Sequence, residues 1–277
     1  MSRFAAFIAV WIGAFAAVLS PALQGLPGGV GSTPSPAILE ALLPLAPLEG
    51  DLLVFAADTA ELQRVPVLLV PGWSDHADDI EPLRERFIEE GWGPGEVEIA
   101  EFDDRFGSNA SHAREIATAV RLLQHRTGAP RVDVVAHSMG GLAVRYFLLF
   151  EGGSSVVRRA AFLGTPHFGT VAAILAWGEG GREMVPGSRF LERLNQTDPI
   201  PGEVEALALR TVLDLRVIPA SSAILPGAEN LEVCCPTHQG MIDDARTFQE
   251  VLTFLRNDVD PVAEEPEGGF QLGDSLR

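Results

Sequence analysis

The run Val134-Val135-Ala136-His137-Ser138-Met139-Gly140-Gly141 carries the clearest chemistry in this chain. An apolar β-like run, Val132 to Ala136, drives into a serine flanked by small residues, and an apolar helical run, Leu142 to Phe150, leaves it. A strand–serine–helix turn lifts a hydroxyl clear of the chain at the positive end of a helix. The turn is so tight that the residues two before and two after the serine must be small. Ala136 and Gly140 meet that demand, with Ala standing where Gly is usual. The chemistry implied is nucleophilic attack by Ser138. The plain alternative is a structural serine in an ordinary strand-to-helix turn.

A serine hydroxyl is a poor nucleophile near neutral pH and needs a base, with an acid to hold that base in the correct tautomer. The chain order expected for this type of turn is Ser, then Asp or Glu, then His. His238, in Cys235-Pro236-Thr237-His238-Gln239-Gly240, is the only histidine after the acid candidates. Strand alternation points His137 away from the nucleophile. His167 reads as a structural loop residue or a pocket-wall group, and His112 and His125 fall on the polar side of a predicted helix. Asp214 follows a predicted strand and is the preferred acid, although an Asp capping its own turn is common. Asp198, Glu203, Glu205 and Glu229 compete with it. Two backbone N–H groups must face the developing oxyanion. Met139, after the nucleophile, and Trp73, in Pro71-Gly72-Trp73-Ser74, are the expected donors.

These residues need a scaffold, and the chain alternates strand and helix signals. Val65 to Val70 is a continuous apolar run, as in a buried parallel strand. Strands are also predicted over 97–102, 131–136, 160–164, 206–213 and 231–235. Helices are predicted over 82–90, 108–127 and 243–255, with Gly91 and Gly128 as stops. This pattern predicts an α/β fold with a mostly parallel central sheet and helices on both faces. In such a sheet the site lies at the carboxyl ends of the strands, and each candidate residue falls there.

The chain has 277 residues, enough for one substantial core over 48–256. Its formal net charge is −18, which argues against a nucleic-acid partner, and every basic side chain is Arg. Arg3, the apolar run Phe4 to Leu19 and Ser20-Pro21-Ala22 read as a signal peptide over 1–22. That implies a secreted or cell-envelope protein, with an uncleaved membrane anchor second and a buried helix third. Residues 23–47 read as a Gly/Pro-rich linker or arm, and 257–277 as an acidic disordered tail. Cys234 and Cys235 are adjacent, and two neighbouring thiols are the expectation.

With these residues in place, the chain resembles bacterial lipases and esterases of the α/β-hydrolase superfamily, close to the small secreted lipase class with an Ala-His-Ser-Met-Gly elbow. The matching pieces are Pro66–Trp73, Val132–Tyr146, Leu163–Gly169 (Leu-Gly-Thr-Pro-His-Phe-Gly), Asp214–Pro219 and His238–Gly240. The resemblance implies the α/β-hydrolase fold and hydrolysis of carboxylic esters, acylglycerols among them, by Ser138, Asp214 and His238, with no cofactor or metal. Acyl transfer or thioester cleavage on the same triad is the alternative, and a non-catalytic binding relative is a third reading. Two departures stand out: Pro71-Gly72 replaces the usual His-Gly, and Val212-Leu213 precede the acid where a small polar turn is common. Trp73, His167, Ile174 and Trp177 are the expected substrate-binding residues. Ile174 and Trp177 belong to the apolar segment Val171–Trp177, which reads as an acyl wall, a mobile lid or a core helix. A Gly-rich hinge, Gly178 to Gly181, follows it. An ester or lipid substrate and contact with a lipid interface are the expected partners.

Overall fold

Continuous apolar runs become buried parallel strands in the computed structural model, which describes residues 64–256. The expectations placed on 1–63 and 257–277 lie outside the described residues. In chain order the elements are β1 (Val67–Val70), α1 (Ala77–Glu89), β2 (Val97–Ile99), α2 (Asn109–Thr127), β3 (Val132–His137) and α3 (Gly140–Phe150). They continue with β4 (Val157–Leu163), α4 (Gly178–Glu183), α5 (Arg189–Leu194), β5 (Glu205–Thr211), β6 (Glu229–Val233) and α6 (Ala245–Arg256). One six-stranded sheet runs in the order β2-β1-β3-β4-β5-β6, and every neighbouring pair is parallel.

Side-chain alternation along the strands feeds two cores. Leu68, Val70, Val134 and Ala136 face Ile116, Val120, Leu142 and Phe147 of α2 and α3. Val67, Leu69 and Val135 face Leu83 and Phe87 of α1 and Val251 and Leu252 of α6. The strands are buried on both faces, so their sequence reads as unbroken hydrophobicity. One charge lies within β3: Asp133, 1% exposed, bonds to Arg158 Nη2 at 2.6 Å and Nε at 3.0 Å. Burial raises its pKa above the usual carboxylate value while Arg158 opposes the rise.

Several boundaries differ from the sequence expectation. Helix α1 begins at Ala77 rather than Pro82, because Asp79 Oδ2 accepts the N–H of His76 at 2.7 Å and starts the helix earlier. Pro82 sits inside it at the expense of one backbone bond. Strand β5 ends at Thr211 rather than Leu213. The Thr211 hydroxyl donates to the Pro236 carbonyl at 2.7 Å and accepts the N–H of Leu213, replacing the ladder. The expected glycine hinge is helix α4. A Cβ on Gly180 would lie 2.7 Å from both the Gly107 carbonyl oxygen and Met139 Sδ, so this glycine serves close packing. His112 is 1% exposed rather than on a polar face: its ring stacks on Phe102 at 4.0 Å, and Nε2 lies 2.8 Å from the Asp104 carbonyl. Cys234 and Cys235, where thiols were expected, are paired as a vicinal disulfide.

Candidate active site

Ser138 sits immediately past β3, and the sheet positions it. Its N–H donates to the Leu163 carbonyl at the end of β4, 2.8 Å away. Its φ is +53°, in the left-handed region that L side chains avoid. A non-glycine residue held there costs about 1–3 kcal/mol and persists only when its surroundings impose it. Here the imposition is close packing behind the turn. A Cβ on Gly140 would lie 2.2 Å from the Pro71 carbonyl oxygen, and one on Gly141 2.1 Å from Thr165 Oγ1. Small residues therefore let α3 begin against β1 and β4, with the serine turned outward.

His238 and Asp214 come from loops after β6 and β5. His238 Nε2 lies 2.9 Å from Ser138 Oγ, and its Nδ1 lies 2.7 Å from Asp214 Oδ2. The second Asp214 oxygen accepts the N–H groups of Val217 at 2.7 Å and Arg216 at 2.9 Å. Burial opposes charge on Asp214, but the His238 bond and these amides hold its carboxyl below the usual carboxylate value. Burial also lowers the pKa of His238; the Asp214 bond resists that shift, while His137 and Arg216 add to it. The arrangement can take a proton from Ser138 and stabilise the resulting imidazolium.

Trp73 lies in the turn after β1 and Met139 at the start of α3. Among the described residues neither amide N–H is taken by a protein acceptor. The Trp73 indole donates to the Trp177 carbonyl at 3.1 Å and meets the Trp177 ring edge-on at 4.7 Å. Phe106 packs on both rings.

A cavity of about 240 Å³ opens beside Ser138. Trp73, Trp177, Leu175, Met184 and Val217 give it an apolar lining, with Thr170 and Arg216 as polar members. Two of the four expected substrate-binding residues, Trp73 and Trp177, line it, and two do not. His167 is completely buried behind the wall, edge-on to Phe162 at 5.2 Å, and burial pushes its pKa well down. Its backbone, bonded to Asn195, holds the loop instead. Ile174 is 76% exposed and does not line the cavity; in the 3-10 turn Val171–Leu175 only Ala173 is buried, while Ala172 and the exposed Leu175 border the cavity. The segment is a partly exposed wall rather than a core helix. Leu175, Met184 and Arg216 were not singled out from the sequence, although Leu175 sits in the apolar segment and Arg216 beside the acid. Two further residues were missed: Asp75, and His137 as a group behind His238.

Among the described residues, no cluster of three or more His, Cys, Asp or Glu could hold a metal ion. No described helix is long and apolar enough to cross a membrane.

Residues 64–178 match the family described as lipase (class 2). Among solved structures, Aspergillus fumigatus lipase B is similar, with a TM-score of 0.61 and 18% identity over 71% of this chain. The match spans 53% of that lipase, about half its length. The mature form of Bacillus licheniformis lipase BlEst2 also gives a TM-score of 0.61, with 19% identity over 70% of this chain and 93% of the other. The Listeria innocua lin2722 product gives 0.53, with 15% identity over 70% of this chain and 95% of its own. The parallel sheet, the serine turn between β3 and α3, and the matches to solved structures give the chain the α/β-hydrolase fold, and its residues 64–178 are similar to the class 2 lipases.

Proposed function

We propose that this protein hydrolyses carboxylic esters through an acyl-enzyme on Ser138. The observation that carries this reading is the unbroken relay from Ser138 Oγ through His238 to Asp214, at 2.9 and 2.7 Å, beside an apolar cavity. His238 Nε2 takes the hydroxyl proton as Oγ attacks the ester carbonyl, and the Trp73 and Met139 amides receive the oxyanion. The tetrahedral intermediate collapses, the C–O bond to the alcohol breaks, and His238 protonates the leaving oxygen. Water then attacks the acyl-enzyme with His238 again as base, releasing the acid and restoring Ser138. Asp214 orients the ring and balances its charge throughout. Hydrolysis of p-nitrophenyl esters of increasing acyl length tests the reading: the wild type should turn over and Ser138→Ala should not. Equal rates would remove Ser138 from the mechanism.

A lipid surface as the source of substrate fits the rim of the site. Val171, Ile174, Leu175 and Trp177 are exposed on one side, and Val212, Leu213 and Leu215 on the other. The two sides are joined by the Val171 N–H donating to the Ile218 carbonyl at 3.0 Å. Exposed apolar side chains clustered around a site mark an interaction surface. A secreted or cell-envelope location is proposed with it, from the apolar segment within 1–22.

A further inference from the structure

Two ionisable side chains lie behind the relay and take no part in the steps above. His137, the last residue of β3, is 1% exposed. Its Nε2 lies 3.1 Å from the main-chain carbonyl oxygen of His238, and its Nδ1 lies 3.3 Å from Asp75 Oδ2. That same Asp75 oxygen accepts the N–H of Gly72 at 3.1 Å. The His137 and His238 rings stand 4.8 Å apart, centre to centre.

The partners fix the hydrogen-bond roles. A carbonyl oxygen only accepts, so Nε2 of His137 donates. Asp75 is a carboxylate: burial opposes its charge, yet His137 and the Gly72 amide hold it below the usual carboxylate value. A carboxylate also only accepts, so each ring nitrogen of His137 faces an acceptor.

We propose that His137 and Asp75 form a buried positioning pair, tying the main chain of the base His238 to the turn that carries Gly72 and Trp73. The inference deepens the proposed function and rests on its assignment of His238 as base. The base and one oxyanion donor come from loops far apart in sequence. The bridge from the His238 carbonyl through His137 and Asp75 to the Gly72 amide sets their spacing. The pair also shapes the field at the base. Asp214 bonds the His238 ring, Arg216 approaches from the loop after β5, and His137 faces it from β3. Burial is the main cause lowering the His238 pKa, and positive charge on His137 and Arg216 adds to it.

His137→Gln tests the pair, because a glutamine amide can still donate to the His238 carbonyl but carries no charge. The acid limb of kcat/KM on a soluble p-nitrophenyl ester should move up by about half a pH unit or more, because a nearby positive charge has been removed from the base. Asp75→Asn should shift the limb as well, since His137 then loses its carboxylate partner. Limbs unmoved in both variants would overturn the inference. A readout independent of activity is the long-range 1H–15N spectrum of ring-labelled protein. Both His137 ring nitrogens should show the shifts of hydrogen-bonded nitrogens, and a ring with neither nitrogen bonded would equally overturn it. The spectrum can be recorded on Ser138→Ala. Full activity in Ser138→Ala would sink the triad reading, whereas an unbonded His137 ring with an inactive Ser138→Ala would sink the positioning pair alone.

Discussion

Gly140→Ala should damage stability and catalysis together, and the structure gives the size of both effects. An added Cβ lies 2.2 Å from the Pro71 carbonyl oxygen and 3.0 Å from that of Val70, where ordinary contact begins at 3.4 Å. Both oxygens are backbone, at the end of a fully buried strand, so no side chain can swing aside. The start of α3 and the turn after β1 must separate by roughly an ångström. Overpacking of this kind costs about 2–3 kcal/mol, which lowers Tm by about 5–10 °C in a domain of this size. The same separation moves the Trp73 amide away from the Met139 amide. A displacement of about 1 Å in such a site costs about a hundredfold in kcat. Gly128→Ala is the matched control. It caps α2 at φ +77° with open space around it, so it meets strain of about 1 kcal/mol and no clash. Thermal melting and p-nitrophenyl butyrate turnover on both variants decide the matter. If Gly140→Ala keeps wild-type kcat and melts like Gly128→Ala, close packing of α3 against β1 does not build the oxyanion site.

Asp214→Asn should lower kcat by about 10⁴-fold with KM little changed, because the amide stabilises the wrong tautomer of His238. On the proposed mechanism His238 acts as a base only when neutral. Burial lowers its pKa, so the acid limb of the kcat/KM profile should fall below the usual histidine value; a limb at or above that value would contradict the local field. Arg158→Met should destabilise the fold by about 3 kcal/mol in urea melts, because it leaves Asp133 buried with its principal charge partner gone, while kcat at 25 °C stays near wild type. The double variant Ile174→Ser, Leu215→Ser should weaken adsorption to tributyrin emulsions about tenfold or more and leave soluble-ester kcat/KM unchanged, since both side chains are exposed outside the cavity. Unchanged adsorption would remove the lipid surface from the reading.

The parts of the site that read directly from sequence are those fixed by local rules. Ser138 announces itself because its turn demands small neighbours. His238 follows from chain order, and Asp214 from its place after a strand. The sheet is legible for the same reason: strands buried on both faces show as unbroken apolar runs. What the sequence does not show depends on contacts between distant segments. Asp75 meets His137 across 62 positions and His137 meets His238 across 101, so no window of sequence links them. His137 points away from the nucleophile, as strand alternation implies, but that side is where the backbone of His238 arrives. His167 follows a Gly-Thr-Pro loop and reads equally as a structural loop residue or a pocket-wall group; the loop buries its ring against Phe162, behind the wall. Ile174 is not among the residues that line the cavity, because the apolar segment forms a 3-10 turn rather than a helix with one buried face, and Ala172, Ala173 and Leu175 border the cavity instead. The strand ends were misplaced where side chains take over backbone bonds, as Thr211 does at the end of β5.

The most direct test of the central reading is fluorophosphonate labelling of the folded protein, followed by peptide mass spectrometry across a pH series. Phosphonylation should fall on Ser138 alone, be lost when the protein is unfolded, and decline at acid pH as His238 becomes protonated. Folded protein that stays unlabelled, or that carries the adduct on a residue other than Ser138, would contradict the Ser138–His238–Asp214 mechanism.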